Sequence, residues 1–313
     1  MFDRNFVSYF DWVLFGLALL LGCMGLMTLY SVVTADALTL QKSLYYKQMM
    51  WLCVGMVLMV IAFVFNYRLL DRYGMAFYLF CVLLLVAVIF FGKYVGGSKR
   101  WLSLGPVSVQ PSEFVKIGVI VALARYFSEN AYTRGFTLRQ LITPLILVMI
   151  PFVLIVKQPD LGTAMLLLLI AGSMTLFVKI ERRSLLYLFV SGTVAVPLVW
   201  FALKEYQKQR ILTFLNPDRD PLGAGYHIIQ SKIAIGSGMV AGKGYLKGTQ
   251  NALSFLPEQH TDFIFSVFAE EWGFMGSAVL ILAFLMLLLW SLNVAYSCRD
   301  SFGSILAVGL TAM

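Results

Sequence analysis

The sequence predicts an all-α fold, a bundle of membrane-spanning helices, and three observations support this prediction. Of the 313 residues, 60% are hydrophobic and only 13% are charged, and the mean hydropathy is +0.83. Soluble domains carry about 25% charged residues, so a soluble fold would expose too apolar a surface. Apolar runs close to the roughly 20 residues that cross a bilayer also recur along the chain. We therefore expect a polytopic membrane protein with a single integral membrane domain over residues 1–313.

Each span is predicted from one apolar run. The predicted spans are residues 12–33, 48–65, 73–92, 113–127, 141–157, 161–180, 184–203 and 273–294, with a ninth beginning near 302. The fourth and fifth runs are short or polar at their ends, which is typical of helices that line a protein interior. The first run is too long for the apolar region of a cleaved signal peptide. The chain stops at Met313 within the ninth run, so we expect a shortened form.

Basic residues predict the orientation, because cytoplasmic loops are enriched in Lys and Arg. With a cytoplasmic N-terminus, the inner loops hold ten Lys and Arg residues and the short outer loops hold six. The segment 204–262 then forms a large extracytoplasmic loop with seven more. Long loops cross regardless of charge, but the outer excess also suits an anionic ligand. Neither the four cysteines nor the two histidines have metal-site spacing, so we predict no protein metal centre. We also expect no nucleic-acid partner.

Three segments place polar residues at the predicted outer boundary of the membrane. Trp101 suits the lipid–water interface, and Glu113 and Lys116 share a face at the start of the fourth span. They form either an ordinary ion pair or a functional charge, because a lysine inside an apolar run is costly. Lys157 and Asp160 flank a proline between two spans. These two charges either cap a polar hairpin or face a cavity between helices.

The third segment is the loop itself. Tyr226–Ile235 resembles a short amphipathic helix, and a glycine run over 236–248 includes Lys243. Such a run is either a phosphate cradle of backbone N–H groups or a flexible series of turns. Asp262 closes the loop, and its apolar neighbours suggest that burial strengthens it as a general base. Its alternative role is as a cap at a helix start. We expect the loop to share one site with segments 96–116 and 157–163.

Together these segments resemble the SEDS family of bacterial cell-wall proteins. Within this family, the sequence motif over residues 227–231 is most similar to the proteins that act in cell elongation. The matching motifs are residues 97–102, 110–113, 157–163, 220–238 and 255–265. The resemblance implies a ten-span fold whose last span lies beyond Met313. It also implies a peptidoglycan glycosyltransferase of the bacterial cytoplasmic (inner) membrane that polymerises lipid II outside, beside a class B penicillin-binding protein of the elongation machinery.

The resemblance also implies roles for particular residues. Asp262 matches the essential aspartate, which takes the proton from the acceptor hydroxyl. Lys116 and Arg210 match cations that face the pyrophosphate, with Lys243 as a further candidate. Glu113, Lys157 and Asp160 match other polar positions of the cavity. The expected reaction inverts the anomeric centre in one displacement, with or without a divalent cation (Mg or Mn).

Two other functions fit the same residues. A lipid-linked precursor flippase would use Lys116 and the polar fourth and fifth spans as a translocation path. A scaffold without enzymatic activity would only position a partner synthase. A flippase needs no catalytic carboxylate outside, so Asp262 is the residue that separates an enzyme from a flippase.

Overall fold

Helices dominate the structure, a computed structural model, as the composition predicts. It describes residues 10–35, 42–95, 98–104, 107–130, 135–221, 223–249 and 260–313. Three parts of the quoted motifs, Gly97, Leu222 and residues 255–259, therefore lie outside the described residues. Within the described residues, six helices are long and apolar enough to cross a membrane, and two shorter apolar helices accompany them.

The helices follow the predicted spans in order. They are α1 (Trp12–Ala35), α2 (Lys42–Val64), α3 (Arg68–Phe91), α4 (Pro111–Glu129), α5 (Leu138–Lys157), α6 (Leu161–Phe177), α7 (Arg182–Ala202), α8 (Glu205–Leu215), α9 (Ala224–Ser237), α10 (Ile264–Ser297) and α11 (Ser301–Ala312). The expected helix over Tyr226–Ile235 is confirmed as α9. α8 was not predicted. Many apolar side chains on these helices are exposed, including Phe91 at 79% and Phe189 at 74%, as lipid-facing positions require.

A three-stranded antiparallel sheet between α3 and α4 was not predicted. Its strands are β1 (Lys93–Val95), β2 (Ser98–Leu104) and β3 (Val107–Val109), in that order. α4 then begins at Pro111, two residues before the predicted start of the fourth span, with Gln110 as its N-cap. Proline suits this first helical position because its missing N–H group has no helical partner there.

Contacts divide the chain into two units. The first unit comprises residues 1–63 and 194–290, and the second comprises 64–193 and 291–313. In the second unit α4 is central, and Val119, Ile120 and Leu123 on it are fully buried. α11 approaches α4 closely, since a Cβ on Gly309 would lie 2.5 Å from Ile120 Cγ2. In the first unit, Trp290 donates to Asp11 at 2.8 Å, which ties α10 to the segment before α1.

Candidate functional site

Asp262 lies in a turn that leads directly into α10. Residues 260–263 form this turn, and α10 begins at Ile264. The expected burial of Asp262 is wrong, because its side chain is exposed. Its apolar neighbour Phe263 instead contacts α9, where the His227 ring lies 6.3 Å away between centroids. An exposed carboxylate at this position is open to a substrate.

Two contacts hold α9 against the start of α10. Ser231 Oγ and Ser266 Oγ lie 2.6 Å apart, so their hydroxyls share a hydrogen bond. At the end of α9, a Cβ on Gly238 would lie only 2.1 Å from the carbonyl oxygen of Ala269. The absence of a side chain at Gly238 therefore permits close backbone contact. These contacts fix the helix start that carries Asp262.

The glycine run is not a phosphate cradle in this structure. The N–H groups of Lys243 and Gly244 donate to the carbonyl oxygens of Glu270 and Glu271, both at 3.0 Å. The N–H of Phe274 donates to Met239 O at 2.8 Å. The run thus wraps around α10 where the helix is interrupted at Gly273. The N–H groups of Lys243 and Gly244 thus bind carbonyl oxygens of α10 next to this interruption, so they do not point at a ligand.

Gly242→Ala should destabilise this wrap strongly. Gly242 has φ +78°, and a Cβ there would lie 2.1 Å from the Glu271 carbonyl oxygen. A residue with a side chain in this conformation costs roughly 1–3 kcal/mol before the clash is counted. We expect a lower unfolding temperature in detergent. Gly236→Ala is the control, because a Cβ at Gly236 meets nothing within 4 Å. Equal unfolding temperatures for both variants would contradict this account of the glycine run.

Glu270 anchors the loop from within the first unit. Its side chain is fully buried, and Oε1 accepts from Lys243 Nζ at 2.6 Å. The same oxygen accepts from the N–H of Thr249 at 2.8 Å. Lys243, expected to contact phosphate, is thus engaged by a buried carboxylate. This geometry gives Lys243 a role in positioning the loop, and its contact with substrate stays a prediction.

Glu271 makes a second buried connection to the loop region. Its side chain is 1% exposed and accepts a hydrogen bond from Ser31 on α1. Tyr245 in the loop donates to Met27 O at 3.3 Å. Burial, with the Glu271 carboxylate as the next contribution, raises the pKa of Tyr245. Sequence reasoning missed both glutamates because it began the eighth span at residue 273, although carboxylates in an apolar run are a functional signal.

In the second unit, Lys116 and Glu113 are paired at the start of α4. Lys116 Nζ lies 2.9 Å from Glu113 Oε2. The Lys116 side chain is 7% exposed and that of Glu113 is 49% exposed. The predicted shared face is therefore confirmed. The ammonium is largely withdrawn from solvent, whereas the carboxylate remains accessible.

Asp160 is buried between β2 and the start of α6. It caps α6, with Oδ2 accepting from Thr163 Oγ1 at 3.0 Å. Arg100 on β2 lies 3.8 Å from the Asp160 carboxylate. Gln158, also buried, donates to Leu85 O at 3.0 Å. Contacts of the 157–163 segment thus join α3, β2 and α6. Asp160 both caps α6 and contacts the guanidinium group of Arg100.

The remaining predicted residues lie at exposed or partly buried positions. Lys157 is exposed at the end of α5, where a helix C-terminus favours positive charge. Arg210 is exposed on α8, and Trp101 is partly buried on β2. Asp262, Arg210 and Lys243 belong to the first unit, and the other candidates belong to the second. The expectation that all of them share one site stays a prediction.

Known proteins resemble this chain over most of its length. A family model described as a cell cycle protein, covering FtsW, RodA and SpoVE, matches residues 11–313. Peptidoglycan glycosyltransferase MrdB of Escherichia coli K12 is 42% identical over 261 residues, which is 83% of this chain and 70% of that protein. Peptidoglycan glycosyltransferase RodA of Treponema pallidum is 34% identical, over 98% of this chain and 87% of that protein.

Solved structures share the fold. A chain from a peptidoglycan synthase complex, described as coordinating polymerization and crosslinking, superposes with a TM-score of 0.79 at 29% identity. The match covers 97% of this chain and 83% of that one. The rod shape determining protein RodA of Thermus thermophilus gives a TM-score of 0.67 at 24% identity, covering 97% and 81%. At this identity the second likeness shows the fold alone.

Proposed function

The chain belongs to the FtsW/RodA/SpoVE family, and from this membership we propose that it polymerises lipid II with Asp262 as the general base. It is a peptidoglycan glycosyltransferase and a multi-pass membrane protein. The observation that supports the proposed base is the exposed Asp262 carboxylate in the turn before α10. The contacts of α9 with α10 hold the start of the helix that follows this turn.

The proposed reaction is a single displacement. A hydroxyl oxygen of the acceptor sugar attacks the anomeric carbon of the donor glycan, and a new glycosidic C–O bond forms. Asp262 takes the hydroxyl proton as that bond forms. The bond between the anomeric carbon and the pyrophosphate oxygen breaks, and undecaprenyl pyrophosphate leaves with the bonding electrons. One displacement inverts the anomeric configuration.

Cations would stabilise the leaving pyrophosphate. We assign this role to Lys116 and Arg210, because positive charge stabilises oxygen atoms that gain negative charge in the transition state. A divalent cation, Mg²⁺ or Mn²⁺, remains an optional addition. No group of three or more His, Cys, Asp or Glu side chains clusters as a metal site within the described residues. Mg²⁺ commonly binds through substrate phosphates, water and one or two carboxylates.

We further propose the cellular setting. The chain would lie in the bacterial cytoplasmic membrane with its N-terminus inside, so that the 204–262 loop faces outward. A class B penicillin-binding protein would be its partner, since a chain with the same fold occurs in a peptidoglycan synthase complex. The motif over residues 227–231 supports a role in cell elongation.

Reconstitution with fluorescent lipid II tests this function. The chain is placed in vesicles with its penicillin-binding partner, and glycan polymer is separated by gel electrophoresis. We expect polymer from the parent protein. Movement of lipid II across the vesicle membrane without polymer would favour the flippase instead. If the partner forms the same amount of polymer with and without this chain, the result would favour the scaffold.

Lys116→Met should reduce polymerisation by roughly 10²–10³-fold, because it removes a charge from the proposed pyrophosphate site. Initial polymerisation rates in the same vesicles measure the effect. Lys47→Met, at an exposed lysine on α2, is the matched control. Glu113→Gln tests whether the effect comes only from the lost ion pair. A polymerisation rate equal to the parent's for Lys116→Met would contradict the assignment, as would an equal loss in Glu113→Gln.

A further inference from the structure

An apolar cavity of about 1050 Å³ lies within the second unit, between α5, α6 and α7. Small-molecule sites usually have volumes of about 300–1,000 Å³, so this cavity is slightly larger than that range. Its wall consists mainly of aliphatic and aromatic side chains, including Leu141, Leu145, Leu168, Leu186 and Phe189. Gly172 on α6 also lines it and leaves open space above its Cα. The cavity therefore suits a large hydrocarbon group.

Two arginines line the same cavity. Arg139 is in the first turn of α5, and Arg182 is the first residue of α7. The segments before these helices are bridged between Phe136 and Ile180. Phe136 N donates to Lys179 O at 2.9 Å within this bridge. The bridge holds the two helix starts together, and the arginine at each of these starts lines the cavity.

Helix stability does not explain these arginines. The first turn of a helix carries partial positive charge, which disfavours a cation there. Both side chains are exposed, and neither forms one of the ion pairs found among the described residues. Two cations therefore border an apolar cavity, where an anion with a hydrocarbon tail would satisfy both.

We propose that this cavity binds one anionic phospholipid, with its acyl chains against α5, α6 and α7 and its phosphate at Arg139 and Arg182. Guanidinium groups bind phosphate through paired hydrogen bonds. Basic pockets between membrane helices are recognised sites for anionic headgroups. The charged end favours such a lipid over a neutral lipid or an apolar partner helix. By the predicted orientation it faces the cytoplasmic leaflet, away from the 204–262 loop, so the inference does not depend on the catalytic proposal.

Photolabelling in vesicles tests the site. The full chain is placed in phosphatidylcholine vesicles that contain phosphatidylglycerol with a photoreactive acyl chain, and labelled peptides are mapped after irradiation. A parallel sample carries the photoreactive group on phosphatidylcholine. Gly172→Phe fills the cavity, and Gly55→Phe on α2 is its control, since Gly55 also faces open space. Arg139→Gln with Arg182→Gln removes the headgroup contacts, and Arg183→Gln controls for an arginine outside the lining.

We expect phosphatidylglycerol to label the cavity walls of α5, α6 and α7 above the other lipid-facing helices. Each of the two substitutions in the double arginine variant should lower the phosphatidylglycerol labelling of the cavity by about fivefold. Phosphatidylcholine labelling should not change. Gly172→Phe should lose the cavity labelling, and both controls should keep it. Equal labelling by both lipids would overturn the proposal, as would labelling insensitive to Gly172→Phe. Loss of the labelling when the penicillin-binding partner is added would assign the cavity to a partner helix instead.

Discussion

Asp262→Asn is expected to lower the rate of glycan polymerisation by roughly 10²–10⁴-fold, the usual contribution of a positioned general base. Asparagine keeps the size of the side chain but cannot accept the acceptor's proton. Asp262 is exposed and lies outside α10, so the substitution should leave the unfolding temperature unchanged. The measurement is the initial rate of polymer formation in vesicles that hold the chain and its partner.

Asp218→Asn is the matched control for this experiment. Asp218 is an exposed aspartate of the same 204–262 loop and lies in the short 3₁₀ turn Pro217–Arg219. The Asp218→Asn substitution removes one negative charge, as Asp262→Asn does, but at a position with no assigned role in the reaction. An equal loss of polymerisation in both variants would mean that loop charge, rather than proton transfer at Asp262, controls the rate.

Lys243→Met is expected to lower the free energy of unfolding by about 3 kcal/mol, the lower end of the cost of leaving a buried charge without its partner. Glu270 is fully buried, and its Oε1, which also accepts from the N–H and the hydroxyl of Thr249, would lose its ammonium partner. The loop should also loosen around α10, because Lys243 holds it there. Thermal or denaturant unfolding in detergent measures the change, and polymerisation should fall with it.

The double variant Lys243→Met with Glu270→Gln should recover most of this stability, because it removes the buried charge as well. Lys208→Met is the control. Its partner Glu205 is 80% exposed, and exposed ion pairs contribute only about 0–1 kcal/mol. If Lys243→Met and Lys208→Met have the same free energy of unfolding, the anchoring role of Glu270 is wrong.

The spans could be predicted because the bilayer imposes a length and an apolar composition on each helix. The interruption of α10 could not, because the φ of +64° at Gly273 depends on the loop packed against it. The sheet at residues 93–109 was also missed. Its strands are three, seven and three residues long, which is too short for a clear alternating pattern.

The site was predicted only in part. Lys116 and Glu113 pair as expected, because their spacing alone places them on one helix face. The glycine run was ambiguous, since a phosphate cradle and a backbone wrap use the same residue type. Only Glu270 and Glu271, whose carbonyl oxygens accept its N–H groups, distinguish the two. The burial expected for Asp262 was wrong because neighbouring apolar residues do not determine the exposure of a residue in a turn.

The most direct test separates substrate binding from bond formation in one protein. Asp262→Asn is titrated with fluorescent lipid II to obtain the dissociation constant, and polymer is then measured in the same vesicles. Our account predicts a dissociation constant equal to the parent's and a rate of polymer formation that is lower by roughly 10²–10⁴-fold. Polymer at the parent's rate would contradict the role of Asp262 as the general base. A loss of binding as large as the loss of polymer would also contradict it, because Asp262 would then act on substrate binding rather than on proton transfer.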